Sequence, residues 1–337
     1  MNLERLTSIL QKIPSARIAV VGDFFLDRYW EIAPELDEPS VETGLTAYQV
    51  AGRRASAGAA GTVTNNLAAL GVGGIYAVGF AGEDGEGYEL RRCLDAVGVR
   101  REFLFETAER VTPCYTKPMR EGVEMNRFDI KNRTPTPASL EDRIISAVET
   151  VAQRVDAVMV MDQVSEPDCG TVTRRVRECL TRLGRAGGKT IFYADSRERI
   201  GEFREMLIKC NAREAAETFS MYDGTAPSAS TLQTCGFRLA ERTGRPVFIT
   251  LGEDGQMIFN PGCRESIHVP AIPVTGEIDI CGAGDATSSA LVAALCAGAT
   301  HEEAAILGNL ASSVTIRKLG QTGTATPEEI REAWRHR

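Results

Sequence analysis

The segment Asp279-Ile280-Cys281-Gly282-Ala283-Gly284-Asp285 sets two glycines and a carboxylate at the head of a small-residue helical stretch, ATSSALVAALCAG. Leu291, Ala294 and Leu295 share one face of that stretch, and Gly298 stops it. Gly282 and Gly284 permit dihedrals and close approaches that let the backbone N–H groups around Ala283 converge on one point. Unpaired amides at the positive end of a helix dipole form an anion site, suited to a transferring phosphoryl group. Asp285 then stands in the first helical turn, where its carboxylate reads in two ways. A first-turn acid stabilises a helix by about 0.3–1 kcal/mol, and for this segment in isolation that is the stronger reading. The other is a general base, taking the proton of an attacking hydroxyl while the amides hold the phosphoryl oxygens.

Such a corner needs a scaffold, and the rest of the chain supplies its pattern. Apolar, β-rich runs recur at Ile18–Val21, Ile75–Phe80, Ala157–Met161, Thr190–Tyr193, Met206–Lys209 and Val247–Leu251. Amphipathic stretches lie between them, such as Leu140–Val151 with Ser139 as N-cap. This alternation predicts an α/β fold, one domain over residues 1–337, with a mainly parallel sheet between helices. Several strands run into residues of turn or polar type: Asp23, Asp162, Asp195, Asn211 and Gly252. Singly each reads as a helix cap; together they predict a polar rim at the strand carboxyl ends, where open α/β sheets bind ligands. Residues 29–50 and 103–128 break the rhythm. Thr112–Lys117 and Val123–Phe128 read as strands around a Glu121-Gly122 turn, so the two insertions are either long surface loops or a small β-flap.

Composition narrows the class. The chain has 337 residues, 43% hydrophobic and 25% charged, enough apolar content for a sizeable core. Its 38 Lys and Arg against 46 Asp and Glu leave a net charge of −8, which disfavours a general nucleic-acid binder. The most apolar run, Ala290–Ala299, is too short to span a bilayer, and the polar N-terminus lacks the apolar core of a signal peptide. Nine cysteines without a CxxC pair, and only three histidines, point away from a disulfide framework or structural zinc and toward a reducing cytoplasm.

Further motifs lie along the chain in a fixed order. Gly22-Asp23-Phe24-Phe25-Leu26-Asp27-Arg28-Tyr29-Trp30 follows the first strand, and Gly58-Ala59-Ala60-Gly61-Thr62 opens the next helix. Arg127-Phe128-Asp129, Asn211-Ala212-Arg213-Glu214 and Thr250-Leu251-Gly252-Glu253-Asp254-Gly255 come next, before Asp279–Asp285, Asn309 and Lys318-Leu319-Gly320. In combination these resemble the ribokinase-like (PfkB-type) carbohydrate kinase family along nearly the whole chain. Within it they most resemble the bacterial D-glycero-β-D-manno-heptose 7-phosphate kinase type.

The resemblance implies a ribokinase-like three-layer sandwich whose β-flap lid, from about residues 29–50 and 103–128, closes over a sugar and mediates a homodimer. It implies ATP-dependent phosphorylation of a sugar or sugar-phosphate hydroxyl, with Asp285 as base and Gly282, Ala283 and Gly284 as anion hole. By the same resemblance Asp27, Gly58, Thr62 and Asn66 hold the acceptor, and Asn211, Glu214, Thr250, Gly252, Gly255 and Asn309 serve the nucleotide. Glu214 would hold Mg2+ through water, and Asp279 a monovalent cation such as K+. The chain departs from the pattern at three places. Cys281 stands where Thr is usual, Thr62 replaces the sugar-binding Asn, and Ala59 replaces a Gly. The acidic stretch Glu31–Val50 disfavours a phosphorylated sugar on Coulomb grounds. Two alternatives share most of these features: a kinase of nucleosides or other small alcohols, and a degenerate homologue that only binds ligand.

Overall fold

The computed structural model describes residues Met1–Arg337. Its main sheet has nine strands: β1 (Arg17–Gly22), β6 (Gly74–Gly82), β7 (Arg100–Thr107), β11 (Ala157–Asp162), β12 (Ile191–Ser196), β13 (Leu207–Asn211), β14 (Val247–Thr250), β15 (Gln256–Phe259) and β16 (Ile267–Val269). They lie in the order β16-β15-β14-β13-β12-β11-β1-β6-β7, parallel throughout except for the antiparallel edge formed by β15 and β16. The first strand sits between β6 and β11, so the order of connection reverses there. Open α/β sheets bind ligands in the crevice outside the strand carboxyl ends at such a reversal.

Strands this apolar are buried on both faces. Ile18, Val20, Ile75, Met159 and Phe248 face α1 (Leu3–Lys12), α2 (Ala60–Ala69), α3 (Gly85–Ala96), α8 (Ala283–Cys296), α9 (His301–Thr315) and α10 (Pro327–Arg335). Ala19, Val21, Val158, Val160 and Ile208 face α4 (Ala138–Ala152), α5 (Arg174–Ala186), α6 (Ala212–Glu217) and α7 (Ala229–Thr243). Side chains alternate between the two cores with the period of two that a strand imposes. No helix is long and apolar enough to cross a membrane.

Local details differ from the sequence expectation where proline or edge pairing intervenes. Pro137, not Ser139, occupies the N-cap position of α4, its extended backbone starting the helix earlier. The lid also draws on other residues than 29–50 and 103–128. Arg100–Thr107 continues the main sheet as the edge strand beside β6. The lid sheet is built instead from β2 (Phe24–Ile32), β5 (Val50–Ala59), β8 (Cys114–Arg120), β9 (Val123–Glu124) and β10 (Phe128–Ile130). Only Asp23 separates β1 from β2, so the chain leaves the main sheet and enters the lid at once. Between β2 and β5 a small hairpin forms from β3 (Glu38–Pro39) and β4 (Thr46–Ala47). The β8–β9 hairpin turns at Glu121 and Gly122, at φ +51° and +81°, as a two-residue loop of this hand requires.

Candidate active site

The corner at the head of α8 has the expected form. Gly282 is its N-cap at φ +78°, and a Cβ there would lie 2.4 Å from Thr322 Cγ2, so only glycine fits without a shift. Its carbonyl accepts from Ala286 N–H at 2.9 Å, while Ala283 N–H turns back to Ile280 O at 3.1 Å. The N–H groups of Gly284 and Asp285 are left without a partner in the chain. Of the anticipated amides of Gly282, Ala283 and Gly284, then, Ala283 is committed internally and the other two are free, joined by that of Asp285, which was not anticipated. Gly284 is exposed and Asp285 half-buried, so no side chain plugs the corner.

Asp285 stands deep enough for its surroundings to matter. Burial raises its pKa to about 7, and the neighbouring Asp195 adds to the rise; Lys209 and Arg197 oppose it, and Asp27 contributes a smaller increase. A carboxylate near 7 is poised to accept a proton at neutral pH.

Across the crevice, Asp27 projects from β2, with Lys117 Nζ of β8 3.7 Å from its Oδ1. Burial raises the Asp27 pKa, partly offset by Lys117 and Arg127. Gly58 makes room for it, since a Cβ there would stand 2.3 Å from Asp27 Oδ2. Thr62 lies in the first turn of α2, its methyl 3.7 Å from where a Gly282 Cβ would be, which brings it beside the corner. Asn66 is buried, its amide nitrogen donating to Thr62 O at 2.9 Å.

Ala59, the N-cap of α2, is held at φ +52° and ψ −117°, a region natural to glycine and strained for alanine. We expect Ala59→Gly to relieve this strain, outweighing the extra flexibility of the unfolded chain. The net gain is about 1 kcal/mol, or about 1–2 °C in a melting experiment. An unchanged or lowered melting temperature would contradict it.

Two of the five acids in residues 31–50 are paired within the lid. Glu31 pairs with Arg54 of β5 at 3.6 Å and Asp37 with Arg120 of β8 at 3.1 Å, while Glu35, Glu38 and Glu42 are exposed. Facing Asp27 are Lys117 and Arg127, with Glu124 acting against them; Arg127 stacks over Tyr115 at 4.2 Å and pairs with Asp129 at 2.6 Å. Lys131 and Arg197 line an adjoining cavity with Phe25, Tyr115 and Gln163.

On the opposite side, Asn211 and Glu214 form a capping box on α6. Asn211 N–H donates to Glu214 Oε2 at 2.7 Å and Glu214 N–H to Asn211 Oδ1 at 2.9 Å. Burial and the charge of Asp195 raise the Glu214 pKa, against the Asn211 N–H. Both line a polar groove of about 510 Å3 with Arg197 and Arg213. No group of three His, Cys, Asp or Glu side chains converges anywhere in the chain. A divalent ion would therefore rely on nucleotide phosphates and water with one carboxylate, the habit of Mg2+, and Glu214 fits that part.

The turn from Thr250 to Gly255 links β14 to β15. Thr250 Oγ1 donates to Cys210 O at 3.4 Å, Gly252 is open to solvent, and Gly255 packs so closely that a Cβ would meet Val269 O at 2.2 Å. Asn309 is buried, accepting from Gln256 Nε2 at 2.6 Å and donating to Val269 O and Pro270 O at 3.2 and 2.9 Å. As placed, its side chain braces that segment and offers no free N–H to a nucleotide. Asp279 clamps two loops, its carboxylate accepting from Cys281 N–H at 2.9 Å and Gly320 N–H at 3.1 Å.

Sequence reasoning did not assign Lys209, whose ammonium is buried 2.5 Å from Asp195 Oδ2. The available signal was a lysine set among the apolar residues Leu207, Ile208 and Cys210 of a strand.

Comparison with known proteins agrees with this architecture. The ribokinase of Arabidopsis thaliana, solved with ribose and ATP, superposes with a TM-score of 0.68 over 94% of this chain and 98% of that one, at 18% identity. The phosphofructokinase-2 of Escherichia coli, solved with fructose-6-phosphate, gives 0.70 over 95% and 99%, at 16% identity. The bifunctional protein HldE of Citrifermentans bemidjiense is 30% identical over 98% of this chain, and that of Geotalea uraniireducens 29% over 98%. The chain spans 66% and 65% of those two relatives' lengths. Residues 16–329 match the pfkB family carbohydrate kinase description, and the chain belongs to that family.

Proposed function

We propose that the chain transfers the γ-phosphoryl group of ATP to a hydroxyl of a sugar or sugar phosphate. The observation that carries this reading is the head of α8, where the unpartnered N–H groups of Gly282, Gly284 and Asp285 stand beside a carboxylate with a pKa of about 7. Asp27 orients the acceptor, with Thr62 at the rim. Asp285 takes the hydroxyl proton as the acceptor oxygen bonds to the γ-phosphorus; the bond from that phosphorus to the β,γ-bridging oxygen breaks, and ADP leaves. The Gly284 and Asp285 amides hold the phosphoryl oxygens, and Gly282 keeps the turn that aims them. Magnesium, bound with the nucleotide, supplies charge neutralisation of the phosphates; Glu214, oriented by Asn211, would hold it through water. Thr250, Gly252 and Gly255 wall the nucleotide, with Asn309 bracing that wall, and Asp279 keeps the corner loop in place, alone or with a monovalent cation. Exposed Val123, Phe128 and Ile130 on the lid support a homodimer through that sheet, which sedimentation would test as a two-chain mass.

The test is ADP release with Mg-ATP against sugars, sugar phosphates and nucleosides. Turnover is expected with a sugar or a sugar phosphate. Turnover confined to nucleosides supports the alternative acceptor class, and sugar binding without any turnover supports a binding protein.

A further inference from the structure

Beneath the α8 corner lies a charged network that the steps above do not use. Lys209 of β13 and Asp195 of β12 are 7% and 9% exposed, with Nζ 2.5 Å from Oδ2. Asp195 also accepts from Ser288 Oγ at 3.1 Å, and Ser288 accepts from the Tyr193 hydroxyl at 2.7 Å. Ser288 lies on α8 one turn beyond Asp285, so the network grips the helix that carries the base. Lys209 also presses on the first turn itself: a Cβ on Gly284 would be 3.2 Å from its Nζ. Gly284 thus leaves space for an ammonium immediately before Asp285. A buried cation against the positive end of a helix is unfavourable by itself, and Asp195 offsets it. Burial alone would lower the Lys209 pKa, but Asp195 holds it in the ammonium form. The charged and titratable groups facing Asp285 are Asp195, Lys209, Arg197 and Asp27, with Tyr193 behind them.

We propose that the Lys209–Asp195 pair is the positioning device of Asp285: matched charges that hold the first turn of α8 and balance the field in which its carboxylate gains and loses a proton. Lys209 favours the ionised carboxylate and Asp195 the protonated one, so their removal has opposite effects. The proposal rests on the reading of Asp285 as the base, but its test needs no acceptor.

In the full chain, the Asp285 carboxyl is titrated by carbon-13 NMR, its signal assigned by its loss in Asp285→Asn. The wild-type midpoint is expected near the value of about 7. Asp195→Asn should lower it by at least about one pH unit, a tenfold change in proton affinity, and Lys209→Met should raise it by a similar amount. The double variant should return to within about half a unit of wild type. Shifts in the same direction, or no shift, overturn the proposal. Asp195→Asn keeps the shape of the site and decides the matter even where Lys209→Met does not fold; an unmoved midpoint in it is sufficient to reject the pairing. Opposite shifts in a chain whose turnover survives Asp285→Asn would keep the positioning and discard the base. Unmoved midpoints in an active kinase that requires Asp285 would do the reverse.

Discussion

Asp285→Asn leaves ATP affinity within about twofold and lowers turnover by about 10²-fold or more, as expected for loss of a proton acceptor used only in the transition state. Asparagine keeps the shape and the first-turn position but cannot take the proton. Steady-state kinetics together with ATP titration separate the two effects, and near-normal turnover would remove Asp285 from the mechanism. The pH profile gives a second handle. The base acts as the carboxylate, so kcat/KM in the wild type should climb about tenfold per pH unit below about 7 and level off above it. Stability runs the opposite way. The folded-state pKa of Asp285 lies above the ordinary 3.8, so between roughly these values the folded chain holds a proton that the unfolded chain has released. This group's contribution to stability is therefore lost as pH rises through that window. Asp285→Asn abolishes that loss, so at pH 8 the inactive variant should melt above the wild type. A residue that merely stabilised its helix would give a lower melting point on substitution.

Gly282→Ala should be the second most damaging of these changes. At φ +78° an alanine costs about 1–2 kcal/mol in backbone strain, and its methyl would stand 2.4 Å from Thr322 Cγ2. Relief requires moving either the loop around Thr322 or the first turn of α8, and the second option takes the Gly284 and Asp285 amides off their aim. Loss of one such donor costs about 10²–10³ in turnover, so kcat/KM for ATP should fall by at least about 10²-fold. Removing the obstructing methyl through Thr322→Ala in the Gly282→Ala background should recover part of that loss. Full activity of Gly282→Ala alone would show that the amides are not required where they stand.

The main sheet was readable because its strands are apolar on both faces and separated by helical periodicity. The head of α8 was readable because glycines directly before a helix have few other uses. The lid was misassigned for a topological reason. Its first strand starts one residue after β1, before the insertion expected from residue 29, while residues 103–107, which looked irregular, belong to the strand that pairs with β6. A sequence gives the sum of the lid's charges and not their partners; the pairing of Glu31 with Arg54 and of Asp37 with Arg120 appears only in the fold. Asn309 shows the limit of motif transfer, since it lies within α9 and its amide is engaged with Gln256, Val269 and Pro270. The Lys209–Asp195 pair joins residues on neighbouring strands that are far apart in sequence, and only the parallel register of β12 and β13 brings them together.

The most direct measurement is a crystal structure of the chain with magnesium and a non-hydrolysable ATP analogue. The terminal phosphate should lie within hydrogen-bond reach, about 2.7–3.1 Å, of the Gly284 and Asp285 N–H groups, with the Asp285 carboxylate open toward Asp27. A nucleotide seated with its phosphates away from the head of α8, or with Asp285 screened from the crevice it shares with Asp27, would contradict the assignment of this corner to phosphoryl transfer.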